Sequence, residues 1–174
     1  MVAVEKYGDS QLLEKLKVYQ AAKPKNDPLS LFRETLAGGD IKKGEYVFYN
    51  NEAAQCTKCH AIFEYGGNAG PGLEGAGKRL SKEQILASLV TPSSEYAIGY
   101  EVVLITSKDG TSEAGIVMER TEEYVKLKLG KEDIRTIPQI EIAESQSLPS
   151  SMLPMGTVLK KKEIRDLVAF LKNL

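Results

Sequence analysis

Two cysteines and one histidine supply all the thiol and imidazole chemistry of this 174-residue chain, and they sit together. The segment reads Cys56-Thr57-Lys58-Cys59-His60, the C-x-x-C-H spacing by which a c-type haem is attached. Each part has a task. Two thiols separated by two residues can add across two porphyrin vinyl groups as thioethers, and the adjacent imidazole is then held beneath the iron as an axial ligand. Competing chemistries fit less well. A thioredoxin-like pair wants a strand before it, whereas the residues before Cys56 read as a helix. A closed structural zinc site takes four nitrogen or sulfur ligands, and this set falls short of four. A disulfide across so short a loop would leave His60 without a role. The pattern predicts one haem c bound covalently through Cys56 and Cys59, with His60 on the metal.

Iron held by one histidine keeps a second axial position, and the chain has no second imidazole. A methionine thioether is the soft donor that remains. Of the four methionines, Met1 is terminal and Met118 falls in a predicted strand, where core packing is its expected role. Met152 and Met155 lie in Ser150-Ser151-Met152-Leu153-Pro154-Met155-Gly156, a proline-containing loop before the last predicted helix. They are the candidate ligands.

Three helices are expected to precede the motif. Asp9 or Ser10 caps the first, with Leu12, Leu13, Leu16 and Tyr19 at helical spacing and Pro24 at its end. The second has Asp27 at the N-cap, Pro28 at the first position, Leu29, Phe32 and Leu36 on one stripe, and Gly38-Gly39 at its close. Asp40 caps the third, which carries Ile41, Gly44, Val47 and Phe48 on one face and runs toward Cys56. After the motif, Gly66-Gly67-Asn68-Ala69-Gly70-Pro71-Gly72-Leu73 is too rich in glycine for a regular element. It lacks the lysine-serine tail and strand-loop-helix context of a phosphate cradle.

Ser81 caps a further helix with Ile85, Leu86, Leu89 and Val90 on its apolar side, closed by Pro92. From Tyr100 the period becomes extended. Residues 100–106, 114–119, 124–129 and 134–137, with a turn at Lys108-Asp109-Gly110-Thr111, predict three to five antiparallel strands between two helical parts. Residues 163–171 return to helix, with Ile164, Leu167, Val168 and Leu171 facing the core.

Length allows one domain, or one domain with an attached module. The formal charge of −1, without a basic block or tryptophan, argues against a nucleic-acid partner. No apolar run approaches membrane-spanning length, so no transmembrane segment is expected. Residues 1–12 are polar and do not read as a signal peptide. Because haem c is usually attached outside the cytoplasm, the expectation is a mature or excised chain in the periplasm or another extracytoplasmic space, its export signal absent from this sequence.

The order of Leu36-Ala37-Gly38-Gly39-Asp40 with Gly44 and Phe48, then Cys56 to His60, Gly70-Pro71-Gly72-Leu73, Thr91-Pro92-Ser93 and Gly99-Tyr100-Glu101 resembles class I c-type cytochromes. Residues 152–156 and 163–171 continue it. More narrowly, roughly residues 30–174 resemble the haem-binding domain found C-terminal to extracytoplasmic β-propeller dehydrogenases of the sugar and alcohol type.

The resemblance implies a mainly α cytochrome c fold, its N- and C-terminal helices crossing beside the haem. Gly44 would permit their close approach, with Phe48 and Phe170 in the contact. A small antiparallel β region would be inserted at about 99–144. Residues 1–39 become a helical leader or linker, and residues 40–174 the monohaem domain. The Pro71 carbonyl would accept the His60 Nδ1 proton and orient the imidazole. The family's Ser-x-Met-Pro context maps onto Ser150-Ser151-Met152, although Leu153 stands where proline would follow. That places Met152 first and Met155 second as ligand. Arg79 and Tyr100 are candidates for contacts to the haem propionates, against the plainer readings of a solvated arginine and a half-buried strand tyrosine.

The function implied is one-electron transfer rather than enzymatic turnover, relaying electrons from a fused or docked dehydrogenase to a downstream acceptor. Lys160-Lys161-Lys162 reads as a solvated face, or as a patch steering an acidic redox partner. The alternatives are a haem-based sensor or small-ligand-binding or catalytic protein with an open or labile sixth site, and a haem-free module whose β insert docks a partner.

Overall fold

Two separate apolar cores, one between helices and one within a sheet, organise the chain in a computed structural model that describes residue 6, residues 8–24 and residues 26–174. Met1 lies outside the described residues. Helix α1 (Ser10–Ala21) is capped by Asp9, whose carboxylate accepts the Leu12 N–H at 2.8 Å; none of its residues is buried. The single helix expected after Asp27 is instead a pair of 3₁₀ turns, Pro28–Leu31 and Arg33–Leu36. Side-chain hydroxyls explain the difference. Ser30 Oγ donates to the Pro24 carbonyl at 2.7 Å and Thr35 Oγ1 to the Phe32 carbonyl at 2.6 Å. They take backbone acceptors near the turns and favour local bonding over a continuous α-helix.

Helix α2 (Ile41–Asn50) starts at Asp40, whose carboxylate accepts the Lys43 N–H. It packs along the final helix α7 (Lys161–Lys172). Gly44 makes that approach possible: an added Cβ would overlap the Asp166 carbonyl and stand 2.6 Å from Phe170 Cβ. The Phe48 and Phe170 rings meet with centroids 5.8 Å apart. Buried Asp166 ties the pair together, accepting the Asp40 N–H at 3.0 Å and the Arg165 guanidinium at 3.0 Å. Three short α-helical turns, α3 (Cys56–Cys59), α4 (Ala76–Arg79) and α6 (Met155–Val158), flank this body. Helix α5 (Lys82–Val90) opens with a Ser81–Gln84 capping box and buries Ile85, Leu86, Leu89 and Val90.

The 3₁₀ turns are packed onto the body. Leu29, Phe32 and Leu36 lie against the helical core. Glu34 bridges Lys23 at 2.7 Å and Lys161 at 2.8 Å, and Lys161 Nζ stands 5.6 Å from the Phe32 ring centroid. Lys160, Lys161 and Lys162 are all exposed, as expected of a solvated face, and Lys161 in addition pairs with Glu34. No helix among the described residues is long and apolar enough to cross a membrane.

Strands β1 (Ala61–Ile62) and β2 (Tyr65–Gly66) form a small antiparallel hairpin. The second sheet has five antiparallel strands in the order β6-β5-β4-β3-β7, comprising β3 (Val102–Ser107), β4 (Ser112–Arg120), β5 (Tyr124–Lys128), β6 (Ile134–Pro138) and β7 (Ile142–Ser147). Alternate residues Val103, Ile105, Val117, Val125, Leu127 and Ile137 turn to one face and form its core. The Asp109 carboxylate accepts the Thr111 N–H at the β3–β4 turn, where Gly110 takes φ +89°.

This overturns the mainly α expectation. Helix makes up 40% of the described residues and strand 21%, and the sheet has its own core. The architecture is α+β, a helical body and a five-stranded sheet, and not a mainly α cytochrome c fold with a minor insert. The strands also run from Val102 to Ser147, beyond the anticipated 99–144.

Candidate haem-attachment site

Helix α2 ends at Asn50, and the side chain of its C-cap, Asn51, accepts the N–H groups of Ala53 and Ala54, each at 3.0 Å. Gln55 then takes a left-handed conformation, φ +48°, and starts the single turn α3 that carries both thiols. Three residues apart on one turn, Cys56 and Cys59 share a side of the helix. Cys56 is half-buried against the helical core and Cys59 is exposed. Burial pushes the Cys56 thiol pKa up, the reverse of the depression that makes a reactive thioredoxin-type thiolate. Among the described residues no three His, Cys, Asp or Glu side chains gather as a metal-binding group.

His60 follows with its N–H donated to the Cys56 carbonyl at 2.9 Å. Its ring Nδ1 lies 2.9 Å from the Pro71 carbonyl oxygen. A carbonyl can only accept, so this bond places the proton on Nδ1 and leaves the Nε2 lone pair free to bind a metal. Gly70 packs against the ring, where an added Cβ would stand 2.6 Å from Cε1 and 2.9 Å from Nδ1.

The glycine-rich run has a structural task that sequence reasoning did not assign. It is stitched to the motif by three backbone bonds: Gly67 N–H to the Thr57 carbonyl at 2.9 Å, Gly70 N–H to Cys59 at 2.8 Å, and Leu73 N–H to Ala61 at 2.9 Å. Backbones this close leave no room for side chains at Gly67, whose added Cβ would overlap the Lys58 carbonyl. The signal is the glycine run that begins at Gly66, six residues after the histidine. Arg79 completes the loop, its guanidinium donating to the Glu74 carbonyl and, at 3.5 Å, to the Gly72 carbonyl. Tyr100 stands apart on the connection into the sheet, exposed and before β3 rather than within a strand.

The methionines separate by burial. Met118 is 45% exposed at a bulge in β4, which corrects its expected place in a core. Met155 opens α6 and is 4% exposed inside the helical core. Met152 is half-buried at the edge of that core, as is Cys56. A thioether enclosed by protein atoms offers no face to an iron, whereas one at an edge does.

The residues fit a haem on chemical grounds. Two thiols sit one helical turn apart, beside an imidazole with Nδ1 occupied. Large apolar side chains stand exposed next to the candidate residues in the chain: Phe63 at 80%, three residues after His60, and Leu153 at 61%, beside Met152. A porphyrin face needs such side chains, and water does not favour them. Among known proteins, no family model matches this chain and no curated protein sequence matches it significantly.

Proposed function

We propose that the chain binds one haem c through thioethers from Cys56 and Cys59, with His60 as one axial ligand and Met152 as the other. When bound, such a group supplies reversible one-electron transfer between ferric and ferrous iron. The observation that carries the reading is the His60 Nδ1 contact to Pro71 immediately after a C-x-x-C pair. It fixes the tautomer a metal ligand requires, and the carbonyl makes Nε2 a stronger donor. Glycines 67 and 70 let the loop lie close enough to hold that bond.

Met152 takes precedence over Met155 because Met155 is enclosed in the core. His/Met ligation favours a raised potential and suits a relay between proteins. The chain passes electrons from a dehydrogenase, fused or docked, to a downstream acceptor in an extracytoplasmic space, and transforms no substrate itself. The test is the optical spectrum of the oxidised protein. A methionine-sulfur to ferric charge-transfer band, lost in Met152→Ala and kept in Met155→Leu, is expected. A high-spin spectrum in the unmutated protein contradicts electron transfer through a His/Met centre and favours the open-site sensor.

A further inference from the structure

We propose that Ser93, Tyr96 and Ser150 are positioning residues that clamp the Met152 loop to the end of helix α5. The inference rests on Met152 being the sixth ligand. Between α5 and that loop the chain makes the long excursion through the five-stranded sheet. Where it returns, three hydrogen bonds join the outgoing and incoming segments in succession, and a fourth, within the incoming loop, carries the series to Met152. Leu148 N–H donates to the Val102 carbonyl at 2.8 Å. The Tyr96 hydroxyl donates to the Leu148 carbonyl at 2.7 Å, across 52 residues of sequence. Ser150 N–H donates to Ser93 Oγ at 3.0 Å, across 57 residues. Met152 N–H then donates to Ser150 Oγ at 3.2 Å.

The anchor side of the clamp is bonded to the end of α5. Thr91 Oγ1 donates to the Ala87 carbonyl at 3.0 Å, Ser94 N–H donates to the Thr91 carbonyl at 2.9 Å, and Pro92 is buried. Leu89 and Val90 of α5 belong to the same core as Met155. Met152 is thus suspended between the serine clamp on one side and buried Met155 on the other. Closing so long an excursion costs chain entropy, and these side-chain bonds hold it closed at the point where the thioether must stay in place.

The clamp touches neither the thiols nor His60, so its loss should loosen one ligand and leave haem attachment intact. Imidazole is the probe, because it binds ferric iron in competition with the methionine. In the haem-loaded protein, Tyr96→Phe and Ser93→Ala are each expected to raise the apparent imidazole affinity about fivefold, the effect of losing one ordinary hydrogen bond, and to weaken the charge-transfer band. Arg135→Gln, which removes the Glu113–Arg135 ion pair within the sheet, serves as control and should leave imidazole affinity unchanged. If the unmutated protein has the band and both clamp variants match it in imidazole affinity, the clamp is refuted while the ligand assignment stands. If the unmutated protein lacks the band, the ligand assignment fails and the clamp falls with it. A clamp variant that unfolds more easily but binds imidazole as before also refutes the positioning role.

Discussion

Helix α7 and strand β5 are buried to a similar depth, yet they are packed by opposite means. Three glycines press against the α7 backbone. A Cβ on Gly39 would stand 2.7 Å from the Arg165 carbonyl, and on Gly44 and Gly77 it would overlap the carbonyls of Asp166 and Lys172. Around β5, the fully buried Val125 and Leu127 meet Val103, Ile105, Val117 and Ile137 side chain to side chain. The helical body relies on a few places where backbones touch, and a single methyl is enough to disturb it. The sheet relies on filled volume, which similar aliphatic residues can share. The two thiols, the imidazole and both candidate methionine ligands belong to the first region.

The largest expected effect lies at the motif. Replacing both Cys56 and Cys59 by alanine should abolish covalent haem, read as loss of the visible spectrum after acidic organic extraction, while circular dichroism still reports the sheet. Next comes the helix contact. Gly44→Ala should destabilise the protein by about 3 kcal/mol or more, because the nearest obstacle is the Asp166 carbonyl rather than a movable side chain. Chemical denaturation followed at the haem absorbance would measure it, and a cost near zero would mean that α2 and α7 are not held by close approach. The corresponding change in the sheet is milder. Ile105→Val should cost about 0.5–1.5 kcal/mol and leave the haem spectrum unchanged, so a spectral shift would show the two regions to be coupled.

The smallest effect is the docking of the 3₁₀ turns through Glu34. Burial alone would raise its pKa, but hydrogen bonds from Lys161 and Lys23 outweigh it and hold the carboxyl below its ordinary 4.5. A depressed folded-state pKa stabilises above the unfolded value, and that contribution is lost as pH falls through the folded one. Glu34→Gln should therefore cost up to about 1 kcal/mol at neutral pH. The gap to the unmutated protein should close in acid. Thermal unfolding across that range would reveal it, and a gap that widens in acid would contradict the assignment.

Much of the site was legible because it is local in sequence. Cys56, Cys59 and His60 fall within five consecutive residues, and the glycine run that shelters the imidazole begins six residues after His60. The capping residues Asp9, Asp40 and Ser81 act within one helical turn and were also readable. Four strands announced themselves by alternation. Strand β7 did not, because Ile142–Ser147 is largely polar and exposed and is held by backbone pairing to β3, Val103 opposite Ser147 and Ile105 opposite Ser145. Such pairing leaves little trace in hydropathy. Met118 is expected in a core from its residue type alone, but it follows the inward-facing Val117, and strand alternation turns its side chain to the outer face. The 3₁₀ turns were read as one helix because the apolar stripe of Leu29, Phe32 and Leu36 outweighed the hydroxyls of Ser30 and Thr35.

Covalent attachment of haem through Cys56 and Cys59 can be read from the intact-protein mass under denaturing conditions. The protein would be produced in a host equipped to mature c-type cytochromes, beside a known c-type cytochrome as a control for maturation. A mass raised by one haem is expected for this chain, and the bare chain mass when Cys56 and Cys59 are both alanine. A bare mass for the unmutated protein, with the control fully loaded, would contradict it.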